Sequence, residues 1–140
     1  MSAQPYEIEL VASETDTDYY EALLATITGL PKAEIREKLP QDLSGGGGWR
    51  GSSFPQVARL LGYNTTPRFV KFDPATPWPC ILRVQVPEHW GWKGKWWALG
   101  YNQGRVYDVA SGDHYSFKNW QLAYADCRVT SMLQIWISDL

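Results

Sequence analysis

The sequence predicts an α+β domain, and three observations carry that expectation. Apolar residues recur at helical spacing only in the first 62 positions, two-residue alternation dominates the remainder, and no internal repeat is present. At 140 residues, with 44% hydrophobic and 20% charged side chains, the chain fits one domain of ordinary globular composition. A chain of this length buries roughly two-thirds of the surface its unfolded form exposes, so no metal, cofactor or disulfide is required for it to fold. The expected organisation is a helical layer over about 13–62 and a sheet over about 66–140.

Glu7 to Ala12 alternates and is at most a short strand. Asp18 stands where an N-cap belongs, with Glu21 three positions on as in a capping box. Tyr20, Leu23, Leu24 and Ile27 then form one apolar stripe that Gly29 ends. Pro31, Ile35 and Leu39 predict a second helix stopped by Pro40. The run Ser44-Gly45-Gly46-Gly47-Gly48-Trp49-Arg50-Gly51-Ser52 is expected as a loop, because each glycine adds backbone entropy that ordering must overcome. A third helix follows, with Ser53 as cap, Phe54, Val57, Leu60 and Leu61 as its apolar face and Gly62 as its stop.

Beyond Tyr63 the period changes to two. Short strands are expected at Arg68 to Phe72 and Cys80 to Val86, then a hairpin of Trp96 to Tyr101 and Arg105 to Val109 around Asn102-Gln103-Gly104, together an antiparallel meander. Ser116 to Ala125 reads as a short helix or an irregular segment, and Val129 to Ser138 as the last strand, opened by Cys127.

Composition excludes several classes of function. The net charge of −2 argues against a nucleic-acid or anionic-membrane binder, although it is unevenly spread: positions 1–44 sum to −6 and the rest to +4. No window supplies the ~20 apolar residues of a membrane span, and the first residues do not form a secretory signal. Cys80 and Cys127 are too few for a disulfide framework, so a reducing, cytoplasmic setting is expected; one long-range disulfide stays compatible with the sequence. Two isolated histidines and two distant cysteines lack the spacing of a zinc site. The glycine run lacks the lysine and hydroxyl residue of a phosphate-binding loop.

A thiol hydrolase would need Cys80 or Cys127 beside His89 or His114. Cys80 falls in a strand and Cys127 at the start of one, away from the helix N-termini that lower a thiol pKa, so both read as small core residues. Of eight tryptophans, four fall in Glu88-His89-Trp90-Gly91-Trp92-Lys93-Gly94-Lys95-Trp96-Trp97. Rings interleaved with cations could stack the bases of a single strand or hold a sugar, but core plus a protein interface is the simpler account. Trp49, Arg50, Trp90, Trp92, Lys93 and Lys95 are the candidate contact residues, since aromatic and arginine side chains dominate interface energies.

The order of motifs resembles the papain-like, bacteriocin-processing (double-glycine) peptidase superfamily over about residues 13 to 110. Asp18 to Pro31, with Thr28-Gly29-Leu30-Pro31, resembles its first helix, and Phe54 to Tyr63, ending Leu60-Leu61-Gly62-Tyr63, its second conserved helix. Pro79 to Val84 resembles the strand before the catalytic histidine, Gly94-Lys95-Trp96-Trp97-Ala98-Leu99 the Gly-His-Trp-Val-Ala-Leu strand, and Gly104-Arg105-Val106-Tyr107-Asp108 the Val-Tyr-Asp-Pro element.

The resemblance implies a papain-like fold, with helices packed on an antiparallel sheet, and it implies lost chemistry. The nucleophile's place is Tyr19 and the histidine's place Lys95; the orienting acid remains as Asp108, followed by Val109 instead of proline. The upstream oxyanion glutamine is missing, and Ser13 lies near its place. A phenol of pKa near ~10 and an amine near ~10.4 do not supply a nucleophile and base at neutral pH. The implied function is an inactive pseudo-peptidase that binds a protein or peptide, a small domain suited to an inhibitor or adaptor of bacterial or phage origin. A hydrolase with relocated residues, or a single-stranded nucleic-acid or small-ligand binder at the Trp-rich hairpin, is the alternative.

Overall fold

The computed structural model describes residues 8–14, 18–39, 53–91 and 96–137. Its elements, in chain order, are α1 (Tyr19–Thr28), α2 (Lys32–Lys38), α3 (Ser53–Leu60), β1 (Tyr63–Thr65), β2 (Cys80–Gln85), a 3-10 turn (Glu88–Trp90), β3 (Trp96–Asn102), β4 (Arg105–Asp108), β5 (Asp113–Ser116), α4 (Phe117–Ala123) and β6 (Arg128–Ile137). The strands form one six-stranded antiparallel sheet in the order β1-β6-β2-β3-β4-β5. The α+β expectation therefore holds. The expected meander is present as β2, β3 and β4; β1 and β5 are not among the expected strands, and β6 returns to lie between β1 and β2.

Alternation along the central strands sends side chains to two faces. Ile81, Ala98, Leu133 and Ile135 pack beneath Leu23, Leu24 and Ile27 of α1, Ile35 of α2 and Phe54 and Val57 of α3; we call this the near face. Cys80, Leu82, Val84, Trp97, Leu99, Tyr101, Val106 and Met132 share the far face with Trp120 of α4. Gly100 sets the approach of α1 to the sheet: a Cβ there would meet Tyr107 Cβ at 3.3 Å and Ile27 Cδ1 at 3.4 Å.

The β3–β4 hairpin turns at Gln103 (φ 48) and Gly104 (φ 85), the left-handed pair that a two-residue turn needs to match strand twist. Gly29 (φ 80) and Gly62 (φ 91) end the segments their sequence context predicts. Ser116 caps α4, accepting from Asn119 N at 3.2 Å, and this resolves 117–123 as helix.

Several expectations are corrected. Ile8 to Ala12 forms no strand; its backbone is held by a side chain, with Val11 N donating to Thr26 Oγ1 at 2.9 Å. The Asp18–Glu21 capping box does not form. Asp18 makes no side-chain cap to α1 and instead accepts from Glu14 N (3.0 and 3.1 Å) and Lys32 Nζ (3.0 Å), while Glu21 turns into the helical layer against Arg36. Ser53 is the first helical residue rather than a cap, and Leu60 of the expected apolar face is 49% exposed.

Arg68 to Phe72 contributes only the bridge Val70↔Met132, because Pro67 interrupts pairing before it. His114 lies in β5, stacked on Tyr107 across the β4–β5 pair. Both cysteines are free thiols, Cys80 buried and Cys127 half-buried just before β6. Among the described residues no helix is long and apolar enough to cross a membrane. The glycine run and Pro40 lie outside the described residues.

Candidate functional site

The two faces of the sheet meet at the N-terminal end of α1. Tyr19, its first residue, packs against both hydrophobic clusters. Its hydroxyl donates to the backbone carbonyl of Ala98, two residues beyond the last β3–β4 pair, Gly100↔Tyr107. The phenol thus satisfies a strand carbonyl at a level where pairing with β4 has ended. Burial pushes the Tyr19 pKa far above its ordinary value and the nearby Asp108 carboxylate pushes it further; a hydrogen bond from the Trp97 indole opposes both. The structure therefore brings Tyr19 and Asp108 into one electrostatic neighbourhood, with Trp97 beside them.

Asp108, at the end of β4, is buried, and its carboxylate organises the next turn. Oδ1 accepts from Ala110 N at 3.0 Å and from Ser111 N at 3.4 Å, and its carbonyl accepts from Gly112 N at 3.0 Å. Val109, in the place of the missing proline, is fully buried on the near face, and its carbonyl accepts from Ser13 N at 2.9 Å. This contact ties the segment before α1 to the strand end. Trp49, Arg50, Trp92, Lys93 and Lys95 lie outside the described residues. Trp90 is half-buried and packs on Trp97 and Tyr124, with ring centroids 5.9 and 6.2 Å away.

Beyond the end of the helical layer the near face opens into a groove. Its walls are Tyr20 of α1, Phe54 of α3, Phe69, and Trp96 and Ala98 of β3, around a cavity of about 90 Å³. Arg83 of β2 borders it, with its guanidinium 4.1 Å from the centre of the Trp96 ring, a cation–π contact. Sequence reasoning did not single out Tyr20, Phe54 or Arg83 as site residues, and it named Trp96 and Trp97 within the ring-and-cation run but not among the candidate contact residues. A signal was present for two of them: Arg83 is the one charged residue in an otherwise apolar stretch of β2, and Trp96 alternates with Trp97, so one of the two rings had to face away from the far-face core.

The thiols are placed for packing. Cys80 has no exposed surface, and burial pushes its pKa up. Cys127 is raised by burial and by the neighbouring Asp126 charge. His89 is exposed on the 3-10 turn, and His114 Nδ1 accepts from Arg105 Nε at 2.9 Å. No group of three or more potential metal ligands occurs among the described residues.

No family model matches the sequence, and no curated protein matches it. The structure does have a counterpart. A double-glycine motif protease from an AMS/PCAT transporter, solved in complex with its leader peptide, matches with a TM-score of 0.57 over 96% of this chain and 95% of that one, at 13% identity. The likeness shows that this chain has the fold of that protease, the papain-like arrangement of helices on an antiparallel sheet.

Proposed function

We propose that the chain is a catalytically inactive form of this fold, one domain that works by holding a protein or peptide in the near-face groove. The observation that carries the reading is the groove itself, an open aromatic trough with one cationic wall immediately beside the place the resemblance assigns to the nucleophile. Its rings offer an apolar segment a surface that costs little side-chain entropy to use, and Arg83 favours a segment that carries a carboxylate. The solved counterpart was crystallised with a leader peptide, so a double-glycine leader is the first peptide to test.

Inactivity follows from what Tyr19 is and where it sits. A phenol held protonated by burial and tied to the Ala98 carbonyl neither attacks a peptide nor carries a thiolate's nucleophilicity. The retained Asp108 serves the turn after β4, which gives an acid in this position a structural use without a histidine to orient. Two unpaired thiols accord with a cytoplasmic setting.

The test uses a fluorescein-labelled double-glycine leader peptide in two readouts, anisotropy for binding and mass spectrometry for cleavage. The peptide should bind without being cut, and Trp96→Ala should weaken binding by about tenfold, the loss of one well-placed aromatic contact. Trp96 is 42% exposed, so the substitution leaves the core intact. Cleavage at the double glycine would overturn inactivity; binding that ignores Trp96→Ala, or no binding, would overturn the groove.

A further inference from the structure

The far face carries a second concavity, independent of the near-face groove and, among the described residues, bordered by an acid, Asp126, where that groove is bordered by Arg83. It is a cavity of about 300 Å³ lined by Trp90 of the 3-10 turn, Leu122 and Ala123 of α4, and Tyr124, Ala125 and Asp126 of the segment after it. Trp90 and Tyr124 meet as an L-shaped corner, with centroids 6.2 Å apart and planes at 67°. Trp97 lies behind both, at 5.9 Å from Trp90 and 5.2 Å from Tyr124, and Trp120 supports Tyr124 at 5.6 Å. Both rings of the corner are therefore buttressed by others, and the corner is built before any ligand arrives.

The chemistry of the lining selects a charge type. Aromatic ring faces carry negative potential, Trp90 and Tyr124 both line the cavity, and Asp126 adds a full carboxylate at the rim. Among the described residues that line the cavity none is basic. Ala123 and Ala125 contribute only methyl groups, which leaves width for a bulky head, and Leu122, 72% exposed, offers apolar surface to an attached chain.

We propose that this corner is a binding site for an alkylammonium group, seated against Trp90 and Tyr124 with Asp126 as its counter-charge. Such a group has two sources, a small quaternary amine or the amine of a lysine side chain in a partner peptide. The near-face groove plays no part in this assignment, so the two readings fail separately.

The experiment follows the tryptophan indole N–H signals of the ¹⁵N-labelled protein by NMR at constant ionic strength. Choline chloride, its neutral isostere 3,3-dimethylbutan-1-ol and N-acetyl-lysine amide are titrated in turn. Choline should move the Trp90 signal saturably, and the neutral isostere should bind at least about tenfold more weakly because it lacks the charge. Asp126→Asn should weaken choline by about fivefold, and Trp90→Ala should abolish the saturable shift.

A response to lysine amide as strong as that to choline assigns the site to a peptide amine, and a response to choline alone assigns it to a quaternary ammonium ligand. If Trp90→Ala loses its dispersed spectrum, Asp126→Lys at the exposed rim carries the test, since it must eliminate choline binding. Equal affinity for the neutral isostere, or no saturation up to roughly 50 mM ligand, overturns the proposal.

Discussion

The two faces of the sheet are closed by different means. On the near face three helices lay down aliphatic side chains: Leu23, Leu24, Ile27, Ile35 and Val57, all without exposed surface. On the far face, α4 has seven residues and buries only one of them, Trp120. Large rings make up the difference. Trp120 stacks on Phe117 at 6.3 Å and contacts Trp97 at 6.0 Å, and Phe72, Tyr101, Tyr124 and Trp90 extend the cover outward. A helix that can offer one buried position covers most area with an indole, which accounts for Trp120 and the Trp90 and Trp97 rings packed around it, three of the chain's eight tryptophans. The near face is thus a scaffold of many interchangeable contacts, and the far face hangs on a few.

That contrast is open to direct attack. Trp120→Ala should cost about 4 kcal/mol, against about 3 kcal/mol for Leu23→Ala, in two-state urea unfolding. Trp120→Phe should cost no more than about 1.5 kcal/mol, because the indole nitrogen is buried with no hydrogen-bond partner among the described residues and its removal forfeits no bond. If Trp120→Phe proves as costly as Trp120→Ala, the nitrogen has a partner and the far face is more than ring packing.

An intermediate effect is expected inside the helical layer, at its one buried acid. Glu21 has no exposed surface, and its Oε2 accepts from Arg36 at 3.1 Å (Nε) and 2.5 Å (Nη2). Its Oε1 has no partner among the described residues. Arg36→Ala strands that carboxylate, and because Arg36 is 56% exposed water lessens the penalty, so the loss in urea unfolding should fall below that of Leu23→Ala. Adding Glu21→Gln should return at least half of the loss, since the neutral amide no longer needs a counter-charge. A double variant as unstable as Arg36→Ala would show that packing, not charge, fixes α2 against α1.

The contrast between faces also explains which features could be read from the chain. Helix stripes and strand alternation report burial against a layer, so α1, α2, β2, β3 and the β3–β4 turn were legible at their true positions. Asp18 misled because a side chain's choice between its own helix and a residue 14 positions away, Lys32, is tertiary. Arg68 to Phe72 misled because alternation specifies a strand only where a neighbour's ladder is free, and β6 offers that segment a single bridge. The groove was least legible: Tyr20, Phe54 and Arg83 come from three elements that only the packing of α1 and α3 over β2 brings together. Tyr19 was found through motif order, whereas its bond to Ala98 and its proximity to Asp108 depend on where β3 and β4 part.

The smallest expected effect falls at Tyr19, where the faces join. Tyr19→Phe keeps the ring against both clusters and deletes only the donor to Ala98 O, a loss of about 1 kcal/mol at neutral pH. Its sharper signature lies in alkali. The folded pKa of Tyr19 is raised, so the unfolded chain releases the phenolic proton first, and the stability held below the unfolded pKa of about 10 drains away as pH rises beyond it. Lys32 acts in the same direction, its pKa raised chiefly by the hydrogen bond to Asp18. Wild type should therefore lose stability steeply above about pH 10, and Tyr19→Phe should show a shallower fall in urea midpoints over the same range. Parallel curves for the two proteins would mean that the phenol ionises as freely in the folded state as in the unfolded one. It would then be open to solvent, and the seal at the head of α1, on which the inactive-site reading depends, would be lost.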